Sequence, residues 1–187
     1  MVTLIERKIA SLEEFLQTPE TKPAQEFFDN KITTKPMPQG KHSIIQAELT
    51  TTLNSFLKPK KIGFAFPELR CTFGGKSIVP DIVVLTYEHI PKDENGDIAN
   101  IVSSAPDWMI EILSPAQSQS LIIKKILHCL DSGCELAWII DGEQKTIFAY
   151  SPEKVKAFDS DSDVLPVPNF MSDFQLTLGD IFGWLNF

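Results

Sequence analysis

The chain has 187 residues, of which 43% are hydrophobic and 22% are charged, which is typical of one folded domain and excludes a wholly disordered chain. No apolar run approaches the roughly 18–20 residues that span a bilayer, so a membrane-spanning helix is not expected. The formal net charge of −8 argues against a protein that simply coats nucleic acid.

Helices come first in the predicted order of elements, and strands follow. A capping pattern formed by Ser11 and Glu14 predicts the first helix, and apolar residues three or four positions apart predict the second. Runs of β-branched and apolar residues predict the strands, and Gly133 predicts the end of the third helix. In chain order we expect a helix over 12–17, an extended segment over 26–33, a loop over 35–40, a helix over 42–57, strands over 63–73, 78–85 and 107–113, a helix over 120–132, and strands over 136–141 and 145–150.

This order predicts an α/β protein with a mixed α+β sheet flanked by helices. We expect a single domain over 1–187, with an N-terminal segment over 1–40 and a core over 41–150. The remaining segment, 151–187, ends in a stretch rich in Phe and Leu that is expected to dock on the core. The start of the chain shows no signal-peptide pattern, and its three cysteines form no CxxC pair. A cytoplasmic protein without disulfides or a zinc site is therefore expected.

Positive charge is concentrated in the segment 31–76, which contains eight basic residues and only two acidic ones. The lysines of this segment either lie on solvated loops by chance or form a basic surface that faces phosphates. The second interpretation makes DNA a partner of this segment.

Two acidic residues lie inside runs that otherwise have the composition of core strands. Asp81 lies in VPDIVVL and Glu111 in DWMIEILSP, where a charge without a partner would cost several kcal/mol. Strand alternation places Glu111 on the same face as Met109 and Leu113. Two interpretations stay open at this point. Each acid has its own salt bridge or cap, or both approach one Mg²⁺, which binds one or two carboxylates together with waters and phosphate oxygens.

Further motifs occur in a fixed order along nearly the whole chain, namely SLEEFL, VPDIVVL, APDWMIEILSPAQS, KKILHCLDSGCELAWIID and FQLTLGDIF. This set resembles the PD-(D/E)xK nuclease superfamily, and more closely one bacterial branch, the Uma-type restriction endonucleases, a domain of unknown function. The resemblance implies a restriction-endonuclease-like core and metal-dependent hydrolysis of phosphodiester bonds in DNA. The implied cofactor is Mg²⁺, for which Mn²⁺ can substitute, and a homodimer is expected because cutting both strands usually needs two sites.

The resemblance also implies the metal ligands. Asp81 and Glu111 would hold the metal together with the backbone carbonyl of Ile112. Glu26 matches a further acidic position near the metal, although a surface acid is an equally open interpretation. His42 matches the family as well, and we expect it to cap a helix or contact phosphate and not to act as a base.

The lysine of the superfamily pattern is displaced in this chain. The position two residues after Glu111 holds Leu113, and in the branch that the chain resembles the lysine lies on the following helix. At about 100° per residue, Lys124 falls opposite the apolar face of that helix, whereas Lys125 falls on its border. Lys125 can therefore return its ammonium to the sheet, where it would orient the attacking water or stabilise the developing charge. The alternative is that both lysines are solvated.

A second class of function stays open, namely a catalytically inactive nuclease-fold module that binds nucleic acid or acts as a regulatory homodimer. Leu113 and the net acidity favour this module. The retention of Asp81, Glu111 and Lys125 favours the enzyme, because a pure binding module does not need acidic residues in its core strands.

Overall fold

The computed structural model describes residues 11–115 and 117–186. Within these residues the chain forms four α-helices, ten strands and one short 3-10 helix. In chain order they are α1 (Leu12–Leu16), β1 (Gln25–Phe28), β2 (Lys31–Thr34), α2 (Gly40–Leu57), β3 (Gly63–Pro67), β4 (Cys71–Phe73), β5 (Lys76–Ile78), β6 (Ile82–Thr86), β7 (Trp108–Ile112), α3 (Gln119–Asp131), β8 (Leu136–Asp141), β9 (Thr146–Tyr150), β10 (Val155–Phe158), the 3-10 helix (Asn169–Met171) and α4 (Leu178–Gly183). No helix in the described part of the chain combines the length and the apolar character needed to cross a membrane.

The strands form two sheets. The larger sheet has the order β10-β9-β8-β7-β6-β3, in which β7 and β8 are parallel and every other neighbouring pair is antiparallel. The smaller sheet has the order β2-β1-β5-β4 and is antiparallel throughout. A parallel pair needs a crossover connection, which α3 provides between β7 and β8. The predicted mixed sheet flanked by helices is confirmed.

Each face of the larger sheet covers its own apolar core. Trp108 and Ile110 of β7 pack on one face with residues of α2 and α4. Met109 of the same strand packs on the other face with residues of α3 and the smaller sheet. The predicted alternation along β7 is therefore confirmed, and Glu111, which shares the face of Met109, points towards α3 and the smaller sheet.

Helix positions agree closely with the pattern in the sequence. The side chain of Ser11 accepts a hydrogen bond from the backbone N–H of Glu14 (3.2 Å) and so caps α1. On the predicted apolar face of α2, Ile45, Leu49, Leu53 and Leu57 are buried, and Phe56 is partly buried against the same core. Gly133 follows α3 with φ of 103°, a left-handed conformation that favours glycine after a helix.

Three strand predictions need correction. The extended segment 26–33 is a hairpin, because Asp29 and Asn30 have φ of 51° and 58° and reverse the chain between β1 and β2. The predicted strand over 63–73 is two strands in different sheets, since Glu68, with φ of 49°, turns the chain between β3 and β4. The strand over 78–85 is likewise divided, and Asp81 lies between β5 and β6 instead of inside a strand.

The structure adds one strand, β10, that the sequence did not predict. The segment that follows β10 packs on the core as expected. Met171, Ile181 and Phe182 are buried with the side chains of α2. Thr177 and Asp180 form a capping box at the start of α4. Phe187, the last residue of the predicted apolar segment, lies outside the described residues.

Candidate functional site

Charged side chains from widely separated parts of the sequence meet where the two sheets approach each other. We call this group the buried charge cluster, and its members are Glu26 of β1, Lys35 after β2, Asp81 between β5 and β6, Glu111 of β7 and Lys125 of α3. No side chain of this cluster is more than 6% exposed. Because unpaired buried charges are strongly destabilising, the cluster depends on the contacts among its members.

Asp81 is held by three groups through its two carboxylate oxygens. Its Oδ1 accepts a hydrogen bond from Lys35 Nζ (2.6 Å), and its Oδ2 accepts one from the backbone N–H of Ile112 (2.7 Å) and lies 3.2 Å from His42 Nε2. Burial alone would raise the pKa of Asp81, but Lys35 and His42 outweigh burial and hold that pKa below its ordinary value. Asp81 is therefore a stable carboxylate anion with fixed orientation.

Glu111 has a different environment at each of its two oxygens. Its Oε1 accepts a hydrogen bond from Lys125 Nζ (2.6 Å), whereas its Oε2 is buried, accepts no hydrogen bond and lies 3.7 Å from Lys35 Nζ. Burial raises the pKa of Glu111, and the nearby carboxylates of Asp81 and Glu26 add to this effect, so the two lysines do not offset it. Three carboxylates thus face two ammonium groups. Oε2 of Glu111 accepts no hydrogen bond and is therefore available to bind a cation or a proton.

Lys125 lies between two acids. Its predicted place is on the border of the apolar helix face, from where its ammonium can return to the sheet. Its Nζ lies 3.1 Å from each carboxylate oxygen of Glu26 and 2.6 Å from Glu111. Glu26 also accepts a hydrogen bond from the backbone N–H of Val79 (2.8 Å), so the surface-acid interpretation of Glu26 is wrong. Lys124 is exposed and pairs with Asp29. Lys125 therefore points into the core and Lys124 to solvent, as the helix geometry predicts, and the catalytic roles of Glu26 and Lys125 stay predictions.

The sequence interpretation missed Lys35, which it counted among the basic residues of the 31–76 segment. The side chain of Lys35 points into the protein, where Nζ donates hydrogen bonds to Asp81 and to the backbone carbonyl of Val79 (2.7 Å). Burial alone would lower the pKa of Lys35, but the carboxylates of Glu111, Asp81 and Glu26 raise it above its ordinary value. No local signal separates Lys35 from its exposed neighbours in sequence, because its partners lie more than forty positions away.

Other basic residues of the segment 31–76 also have acidic partners. Ion pairs join Lys41 to Glu143, Lys60 to Asp173, Arg70 to Glu20, and Lys76 to Asp29. Part of the positive charge that the sequence concentrates in this segment is therefore compensated in the fold, and its role in binding DNA stays a prediction.

A cleft of about 490 Å³ opens beside the cluster. It lies between the start of α2, the segment before α3 and the turn after β8. His42 and Ile112 line this cleft, and the same two residues contact Asp81. The cleft therefore reaches the cluster through residues that position one of its carboxylates.

The donor set at the site fits a divalent cation only in part. Among the residues that the structure describes, no group of three or more His, Cys, Asp or Glu side chains is arranged to hold a metal ion. Glu26 is occupied by Lys125 and Val79, but Asp81 and Glu111 both face one cation, the ammonium of Lys35. Two carboxylates, one with an unpaired buried oxygen, suit Mg²⁺, which completes its coordination with water and phosphate oxygens. The structure shows Ile112 contacting Asp81 through its N–H, and a metal contact of its carbonyl stays a prediction.

Comparisons with known proteins agree with this architecture. The model of the Uma2 family, described as "Putative restriction endonuclease", matches residues 12–179. The chain is 52% identical to a protein from Anabaena variabilis whose crystal structure is described as that of "a putative nuclease belonging to DUF820". The two structures share a TM-score of 0.92 over 94% of this chain and 99% of the other, so the predicted nuclease-like fold is confirmed. No curated protein matches the chain.

Proposed function

Because the chain belongs to the Uma2 family, we propose that it is a metal-dependent endonuclease that hydrolyses phosphodiester bonds in DNA. The observation that carries this proposal is the convergence of two buried carboxylates on one cation. Asp81 Oδ1 lies 2.6 Å and Glu111 Oε2 lies 3.7 Å from the same ammonium nitrogen. A purely structural domain gains little from this arrangement, since a buried ion pair is often no more stabilising than apolar residues of the same volume.

In this proposal Asp81 and Glu111 hold the metal. A bound Mg²⁺ supplies polarisation of the phosphoryl oxygen and a lower pKa for bound water. The Ile112 N–H and His42 fix the orientation of the Asp81 carboxylate. A carboxylate that is already oriented loses little freedom when it binds a cation, which favours binding.

Lys125 acts as a hydrogen-bond donor in the proposed reaction. Its contacts with Glu111 and with both oxygens of Glu26 keep the amine charged, so it has no free electron pair with which to act as a base. A fixed ammonium orients the attacking water or stabilises the negative charge that develops on the phosphate. The DNA strand would approach through the cleft beside His42, and cutting of both strands would use the two sites of a homodimer.

One observation favours a second candidate function, a catalytically inactive nuclease-fold module that binds nucleic acid. The position between Asp81 and Glu111 is taken by the ammonium of Lys35. A site that is permanently neutralised by its own lysine needs no metal and would retain only the fold. The two candidates therefore differ in whether a divalent ion binds there.

Incubation of the purified protein with supercoiled plasmid, with Mg²⁺, Mn²⁺ or EDTA, tests the proposal. We expect nicking that requires the metal and is lost in Asp81→Asn and in Glu111→Gln, since each variant removes one carboxylate charge and preserves the shape of the side chain. Lys60→Met, which removes an exposed charge paired with Asp173, is the control and should retain nicking.

Calorimetric titration of the same variants with Mn²⁺ separates binding from chemistry. We expect wild type to bind Mn²⁺ and Glu111→Gln not to bind it. Plasmid binding without nicking in the wild type would favour the inactive module. Nicking that survives in both carboxylate variants would show that the chemistry lies elsewhere.

A further inference from the structure

Lys35 has a defined place in the fold that the proposed mechanism does not use. Its backbone N–H donates a hydrogen bond to the carbonyl of Ala24 (2.9 Å), which fixes the chain at the end of the β1–β2 hairpin. From this point its side chain, only 6% exposed, extends to Asp81 and to the carbonyl of Val79. The hairpin therefore fixes the backbone of Lys35 within reach of the cluster, while the side chain keeps the rotatable bonds that would let its ammonium leave.

Lys35 differs from Lys125 in the acids that it contacts. Lys125 contacts Glu26 and Glu111, so it is placed to act beside the site. Lys35 contacts both carboxylates to which the metal is assigned, Asp81 at 2.6 Å and Glu111 at 3.7 Å. The proposed function assigns the role of the nuclease lysine to Lys125, and the ammonium of Lys35 lies where the same proposal would place the metal.

A metal ion and this ammonium cannot share the position. Mg²⁺ binds carboxylate oxygens at about 2.0–2.1 Å, and an ammonium that stays beside the same oxygens would lie within a few ångströms of it. The repulsion between the two positive charges is weakly screened in a buried site. One cation must leave before the other binds.

We propose that Lys35 is an internal counter-cation that occupies the metal position between Asp81 and Glu111 and is displaced when a divalent cation binds. The inference rests on the proposed function for the identity of that cation. In the metal-free protein Lys35 balances the repulsion between the two carboxylates, which would otherwise be buried close together without a cation between them. Metal binding is therefore an exchange of one cation for another, and the affinity for the metal is lower than that of the same two carboxylates without Lys35.

Calorimetric titration with Mn²⁺ of the wild type and Lys35→Met tests this exchange. We expect the dissociation constant of Lys35→Met to be at least about tenfold lower, because the entering ion no longer displaces a buried charge. Lys35→Arg keeps the charge and should bind no more tightly than the wild type. Lys31→Met, which removes an exposed lysine at the start of β2, is the matched control and should leave the dissociation constant unchanged.

A measurement on the wild type keeps the test valid if Lys35→Met does not fold. Acetylation of lysines by an amine-reactive ester, followed by mass spectrometry, reports the exposure of each ammonium. Lys35 should be protected without metal and should react faster in Mn²⁺, whereas exposed Lys31 should react at the same rate in both conditions. An unchanged rate at Lys35 in saturating Mn²⁺ would overturn the proposal.

The outcomes distinguish this inference from the proposed nuclease activity. Equal or weaker Mn²⁺ binding by folded Lys35→Met, together with metal-dependent nicking by the wild type, would refute the role of Lys35 and leave the nuclease. Tighter binding by Lys35→Met, together with a wild type that never nicks plasmid, would support the exchange and refute the nuclease. Absence of Mn²⁺ binding in both proteins would refute the exchange. The plasmid assay would then decide on the nuclease activity by itself, because nicking by the wild type would support it and absence of nicking would refute it.

Discussion

Lys125→Met is expected to destabilise the protein strongly. The side chain is 3% exposed and contacts Glu111 at 2.6 Å and both oxygens of Glu26 at 3.1 Å. Methionine fills a similar volume but leaves the two acids buried with only Lys35 nearby, 3.7 Å from Glu111. Breaking a buried ion pair on one side costs about 3–5 kcal/mol. In a domain of this size that loss lowers the melting temperature by about 6–20 °C.

Guanidinium denaturation followed by circular dichroism measures this loss, and its pH dependence gives the cause. The pKa of Glu111 is already above its ordinary value because the side chain is buried, and without the ammonium of Lys125 it should rise further above that of the unfolded chain. Such a group stabilises the fold below its unfolded pKa, and this contribution is lost as pH rises through the folded pKa. The deficit relative to the wild type should therefore shrink as pH falls towards the unfolded pKa of glutamate, about 4.3.

Two further variants make the reasoning refutable. Lys124→Met removes the exposed neighbouring lysine of α3, which pairs with Asp29 at 3.4 Å, and should cost less than about 1 kcal/mol. Lys125→Met combined with Glu111→Gln should recover part of the loss, because one unpaired charge is removed with it. A cost for Lys125→Met no larger than that for Lys124→Met would show that Lys125 does not neutralise the buried acids.

Three smaller predictions concern stability away from Lys125. Thr177→Ala removes the hydroxyl that accepts a hydrogen bond from the Asp180 N–H (3.1 Å) and should cost about 1 kcal/mol in urea denaturation. Asp81 has a folded pKa below its unfolded value, so its contribution to the free energy of unfolding is complete above about pH 4 and is lost as pH falls further. When stability is measured against pH, Asp81→Asn should lack this acid-dependent loss. Lys41→Ala breaks an ion pair whose side chains are 55% and 64% exposed, and should change stability by less than about 1 kcal/mol by thermal unfolding.

The features that could be predicted from the sequence are those that follow from the repeat of a helix or a strand, that is, from residues a few positions apart. The buried face of α2 follows from apolar residues three or four positions apart, and the face of Glu111 follows from alternation along β7. The choice of Lys125 over Lys124 follows from the angle of 100° between successive helix residues. Each of these depends only on neighbours within one or two turns or strand repeats.

The features that were not predictable depend on contacts between distant residues. The strand break at Glu68 is an exception, because Pro67 just before it is a local signal for the end of a strand that the prediction over 63–73 did not use. Lys35 precedes Pro36 in a segment with the composition of a loop, and its burial follows only from the position of the β1–β2 hairpin against Asp81. A local pattern cannot show that a lysine faces an acid 46 positions away.

The buried charge cluster also joins the two sheets, so the residues of the proposed metal site contribute to the stability of the fold as well. Glu26 belongs to β1 of the smaller sheet, Glu111 belongs to β7 of the larger one, and Lys125 of α3 bridges them. Lys35 connects the β1–β2 hairpin in the same way to Asp81, which lies on the passage from one sheet to the other. Alanine at these positions would remove a charge and also open a cavity at the junction between the sheets. Amide variants keep the volume of the carboxylates, so a loss of metal binding in Asp81→Asn or Glu111→Gln reports on the site itself and not on the separation of the sheets.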